Sequence, residues 1–111
     1  MTGGANAGIM DSMIGYLEGN VLLFPSDAGG RQTPITPRDG SYRVFAGVGM
    51  LRFIEGPPSI APGHEARVVA EVESPLPSVS LSAGDEIELV EEERVIGLLL
   101  VTRLWRTALA V

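Results

Sequence analysis

The chain has 111 residues, 45% of them hydrophobic, no Cys, one His, one Trp and a formal net charge of -6. That length fits one domain with a single core, and the apolar share excludes a mainly disordered chain. All eight cations are Arg against 14 carboxylates, a balance that disfavours generic nucleic-acid binding, where a basic surface supplies most of the affinity. Without Cys there is no disulfide framework, thiolate metal site or Cys nucleophile.

Residues 1–15, rich in Gly, Ala, Asn and Met, read as a flexible N-terminal segment. Met1 to Gly8 carries no positive charge and no long apolar run, so no secretory signal is expected. The longest apolar run, Val95 to Val101, is far shorter than the ~20 residues a membrane helix needs. A cytoplasmic location is therefore expected. Gly and Pro are spread along the chain and bound each short apolar run, which is the punctuation of an all-β protein.

The first strand is expected over Tyr16 to Phe24, stopped by Pro25. The loop Ser26 to Ser41 holds Gly29-Gly30, Pro34, Pro37 and Asp39-Gly40, too many breakers for a helix. The second run, Tyr42 to Ile54, contains Gly47 and Gly49, which predicts a bulge, a sharp bend or two short strands. Turns follow at Gly56-Pro57-Pro58 and at Pro62-Gly63, the latter with a type II signature. Glu65 to Glu73 alternates, with Val68, Ala70 and Val72 inward, Arg67, Glu71 and Glu73 toward water, and Val69 between them. Pro75 and Pro77 break it. Ala83-Gly84-Asp85 opens the next strand, with Ile87 and Leu89 inward and Glu86 and Glu88 outward. Glu91-Glu92-Glu93 turns the chain into a long strand, Arg94 to Trp105, that is apolar on both faces over Val95 to Val101. The total of about five to seven strands fits a small antiparallel barrel or sandwich over residues 16–106, with 107–111 as a tail.

The loop Gly29-Gly30-Arg31-Gln32-Thr33-Pro34 is the most specific local feature. Gly30, Arg31, Gln32 and Thr33 form a candidate recognition loop, in which Arg31 offers a planar fork suited to phosphate or carboxylate. Arg38 and Arg43 are candidate supporting residues. The alternative is a plain connection in which Arg31 pairs with a nearby carboxylate, and the residues alone favour that alternative. The loop lacks the glycine spacing and Lys-Ser/Thr pair of a phosphate-binding P-loop, so no nucleotide is expected. His64 stands alone beside Glu65, with no second His for a metal site and no partner for acid–base work. No Ser stands in a Gly-x-Ser-x-Gly pattern. Neither catalytic residues nor a metal or cofactor are expected. The acidic set from Asp85 to Glu93 reads as a solvated face and hairpin tip, with Arg94 placed to neutralise part of it. Trp105, flanked by Arg103 and Arg106, is a candidate interface anchor or the end of the core, and Leu99 and Val101 on the same strand are candidate interface residues.

Taken in order, Val21-Leu-Leu-Phe24, Ala28-Gly-Gly-Arg-Gln-Thr-Pro-Ile35, Ser41-Tyr-Arg43, Ile60-Ala-Pro-Gly63, Val68 to Val72, Ser74-Pro-Leu76, Ala83-Gly-Asp85 and Glu93-Arg-Val-Ile-Gly97 form a pattern. It resembles the C-terminal domain of bacterial translation elongation factor Tu over about Leu17 to Leu104. That domain carries a Gly-Gly-Arg-His-Thr-Pro-like loop followed by a Tyr-Arg pair. The resemblance implies an all-β, closed six-stranded antiparallel β-barrel. It also implies a non-catalytic binding module contacting tRNA or a translation-factor partner through Gly30, Arg31, Gln32 and Thr33. The family's usual His is Gln32 here, its Asp after Pro-Gly is His64, its hairpin glycines are Glu92-Glu93, and its small Ala-Gly pair is Leu98-Leu99. No P-loop, Asp-x-x-Gly or Asn-Lys-x-Asp motif occurs, so these residues are not expected to hydrolyse GTP. The net charge favours a protein partner over tRNA. The alternative is a self-associating barrel that pairs with a second copy through the closing strand and has no role in translation.

Overall fold

Six strands carry the fold: β1 (Ser12–Leu23), β2 (Arg43–Ala46), β3 (Gly49–Glu55), β4 (Glu65–Val72), β5 (Glu86–Glu91) and β6 (Arg94–Ala108). They pair antiparallel throughout and close into a barrel in the order β1-β4-β3-β2-β5-β6. The all-β, six-stranded closed barrel expected from the sequence is what the chain forms. This computed structural model describes residues 12–46, 49–73 and 81–108. Gly47, the break at Pro75 and Pro77, residues 1–11 and residues 109–111 lie outside the described residues.

Local chemistry sets the elements. The run from Tyr42 divides into β2 and β3, a hairpin in register from Arg43↔Arg52 to Ala46↔Gly49. At Pro62-Gly63 the amide of His64 donates to the Ala61 carbonyl at 3.0 Å, and Gly63 takes φ 85°, which is the expected type II turn. The β5–β6 hairpin closes on Glu92 and Glu93 between the paired Glu91 and Arg94. Both turn residues have positive φ, 50° and 65°. A two-residue hairpin wants that hand of turn, and here glutamates adopt it where Asn-Gly is the usual solution.

Strand pairing reaches further than the sequence pattern. Ser12 pairs with Ala108 and Met13 with Thr107. Regular backbone thus enters both the segment expected to be flexible and the tail. A ladder satisfies backbone groups whatever the side chains are, so pairing there leaves no periodic signature.

Alternation fills the barrel with Leu17, Leu51, Phe53, Val68, Leu89 and Ile96, all essentially inaccessible. Leu99 and Val101, expected at an interface, are each 0% exposed and belong to this core. Within the apolar run, the outward residues are Leu98 and Leu100. A strand that is apolar on both faces carries no phase in its hydrophobic pattern, and a one-residue slip exchanges the faces. Val69 also departs from expectation. Its neighbours Val68 and Ala70 fill the core, yet it is only 8% exposed itself, and it lines a groove on the outer wall.

Candidate functional site

The Gly29–Pro34 loop leaves the end of β1 through a 3-10 turn, Ser26–Ala28. Gly29 has φ 88° and open space around it, so it needs glycine for conformation alone. Gly30 needs it for approach: an added Cβ would stand 2.0 Å from the Phe24 carbonyl oxygen. The Gly30 amide donates to the Pro25 carbonyl at 3.0 Å, and the Ser26 hydroxyl donates to the Arg31 carbonyl at 2.9 Å. At the far end Ile35 and Ile60 exchange two backbone hydrogen bonds of 3.0 and 2.9 Å, with both side chains buried. The loop is therefore fixed at both ends.

Arg31 fixes its middle. Its Nη1 donates to Glu91 Oε2, its Nε to the Thr33 carbonyl at 3.1 Å, and its Nη2 to Thr33 Oγ1 at 3.1 Å and the Pro34 carbonyl at 3.4 Å. The guanidinium lies 5.4 Å from the centre of the Tyr42 ring, and its side chain is 20% exposed. Tyr42 donates its hydroxyl to the same Glu91 oxygen and packs its ring on Phe53 at 5.5 Å. Burial first, and the Glu91 carboxylate second, push the Tyr42 phenol above the ordinary tyrosine range. Arg31 thus takes the alternative weighed from sequence, pairing with a carboxylate. Its fork is an internal clamp, and Gln32 and Thr33 remain exposed above it.

Tyr42 and Glu91 escape a reading of the sequence as functional residues. Arg31 and Glu91 are 60 residues apart in the chain, and Tyr42 and Glu91 are 49 apart. Glu91 sits in an acidic run that reads as a solvated tip. The clue was the order of segments: the Gly-Gly-Arg loop and the Tyr-Arg pair converge here.

The supporting arginines are also engaged. Arg38 Nε donates to the Gly56 carbonyl at 3.2 Å, and Arg43 Nε donates to Glu73 Oε1 at 2.7 Å. Arg52 reaches Glu71 through Nε and Nη2, at 3.2 and 2.7 Å. Asp39, between these arginines, accepts from the Ser41 amide, the Ser41 hydroxyl and Thr36, and these bonds hold its carboxyl below the usual carboxylate range. His64 is an exposed turn residue. Among the described residues no cluster of His, Asp and Glu is arranged to hold a metal ion, and no helix is long and apolar enough to cross a membrane. Arg94 forms no ion pair among the described residues, so it does not neutralise the tip as expected.

Trp105 is 38% exposed on the outer wall, under the Arg103 guanidinium at 5.1 Å. With Tyr16, Val69 and the Glu18–Arg67 ion pair it lines a groove of about 340 Å³. Its place is the wall, not the end of the core, because the ladder pairs it with Tyr16 across β1. No family model and no curated protein matches this chain.

Proposed function

We propose that this chain is a non-catalytic binding module, related to the C-terminal barrel of bacterial elongation factor Tu, that docks a protein partner through the Gly30–Thr33 loop. The carrying observation is the clamp. Five hydrogen bonds from Ser26, Gly30 and the Arg31 side chain within the loop region, together with the Arg31–Glu91 bond, hold the backbone while Gln32 and Thr33 face solvent. A loop ordered before binding loses less entropy on association. Arg31 acts in this reading as the positioning residue, and the Gln32 amide makes the contact. The engagement of Arg31, Arg38 and Arg43 with groups of the chain itself, and the net charge of -6, favour protein over tRNA.

The test compares wild type with Gln32→Ala as baits in native lysate, read by mass spectrometry after circular dichroism has shown equal melting. The reading expects a protein held by wild type and released by Gln32→Ala. Identical sets from both baits would overturn it. A parallel filter-binding series with bulk tRNA should show no retention at low salt; salt-dependent retention would move the reading to RNA.

A further inference from the structure

We infer that the outer wall of β4, β1, β6 and β5 is a second docking surface, and that it takes a polypeptide segment of apolar residues flanked by Lys or Arg. The surface is independent of the Gly30–Thr33 loop. Its centre is apolar: Leu22 and Leu100 are each 40% exposed, and Leu98 beside them is half-buried. Together with Asn20, Glu65 and Glu86 these leucines line a concavity of about 140 Å³.

The register explains how the surface is built. Leu22 pairs with Leu98 and Asn20 with Leu100 across β1 and β6. On one side Leu22 pairs with Glu65 of β4. On the other side Leu100 pairs with Glu86 and Leu98 with Glu88 of β5. The apolar stripe is therefore edged by carboxylates on both flanks. Neighbouring strands lie about 4.8 Å apart, so three steps from β4 to β5 set the flanks roughly 14 Å apart, wide enough for one extended or helical segment.

The charges identify the occupant. Glu18, Glu71 and Glu73, on the same barrel, are each paired with an arginine. Glu65, Glu86 and Glu88 form no ion pair among the described residues. An apolar stripe bordered by three unpaired carboxylates is complementary to a cationic apolar segment, and the one cation on that border, Arg67 opposite Asn20 on β4, is held by Glu18. A second copy related by a two-fold axis would bring the same carboxylates against these, and phosphate-rich surfaces, whether RNA or anionic lipid, would meet like charge.

The experiment is a 15N–1H NMR titration of the full chain with a synthetic peptide of alternating leucine and lysine, and with its twin carrying glutamate for each lysine. Shift changes should centre on residues 20–22, 65–67, 86–88 and 98–100, for the lysine peptide only. Glu65→Gln with Glu86→Gln should weaken binding about fivefold to tenfold, and Leu22→Ser with Leu100→Ser should abolish it. Glu92→Gln with Glu93→Gln removes the same charge at the hairpin tip and should change affinity less than twofold. Equal weakening by the tip and wall pairs, or shifts scattered over every acidic position, would overturn the inference. So would a dimer in sedimentation equilibrium that Leu100→Glu dissolves, since a second copy would then cover the wall. Gln32→Ala should leave peptide binding unchanged, so failure on the wall is separable from failure at the loop.

Discussion

Glu91→Gln keeps the shape of the clamp and removes its charge. One oxygen of Glu91 accepts from both Arg31 Nη1 and the Tyr42 hydroxyl. A hydrogen bond to a charged group contributes about 1.5–3 kcal/mol and a neutral one about 1 kcal/mol. Two bonds that each lose about 1 kcal/mol give a destabilisation of about 2 kcal/mol. Exposure supports that figure independently. The Arg31 and Glu91 side chains are 20% and 22% exposed. That places the pair between exposed ion pairs, at about 0.2–1 kcal/mol, and fully buried ones, at about 3–5 kcal/mol when broken. For a domain of this size the melting temperature should fall by about 9 °C. Equilibrium urea unfolding followed by far-UV circular dichroism measures the change, with an unaltered m-value as the sign that both states keep their compactness. The deficit should persist in about 1 M salt, because a pair sheltered from solvent is weakly screened. A loss below about 0.5 kcal/mol, or one that vanishes in high salt, would refute the clamp as a sheltered pair.

Three further outcomes follow from the same geometry. Leu99→Ala should cost about 3 kcal/mol and Leu98→Ala about 1 kcal/mol or less in urea unfolding, because only Leu99 points into the barrel; the reverse order would mean that the β6 register is wrong. Replacing Glu92-Glu93 by Asn-Gly should stabilise by about 1–2 kcal/mol, since both positions hold a left-handed φ that glutamate adopts only at a cost; a neutral or destabilising result would contradict that turn. Tyr42 binds its proton more tightly when folded than the unfolded chain does near pH 10. The native state is then the more protonated one above pH 10, and stability should fall as pH rises from there. The fall should be absent in Tyr42→Phe, and an equal fall in that variant would remove Tyr42 as its source.

The strands were legible because most of them bury one face. In β4, Val68, Ala70 and Val72 announce both the strand and its inward phase, and β5 does the same through Leu89. The turn at Pro62-Gly63 was readable because only glycine takes its φ cheaply. β6 was legible as a strand but not in phase, since Val95 to Val101 offers leucine to either side. That is why Leu99 and Val101 stood as interface candidates and Leu98 and Leu100 did not. At the loop, the sequence showed a glycine-flanked arginine and both of its possible roles. Which role holds is decided by Glu91, which closure of the barrel brings beside Arg31 from the end of β5. A contact that depends on closure leaves no mark within a local window of sequence.

The claim on which the proposed recognition rests is that the Gly30–Thr33 loop is ordered before any partner arrives. Backbone 15N relaxation of the free chain measures this directly. Order parameters at Arg31, Gln32 and Thr33 should match those of the β4 strand, at about 0.85, and should drop in Glu91→Gln. Values below about 0.6 in the wild-type loop would contradict the account, because a loop that samples many conformations is not held by the Arg31 clamp.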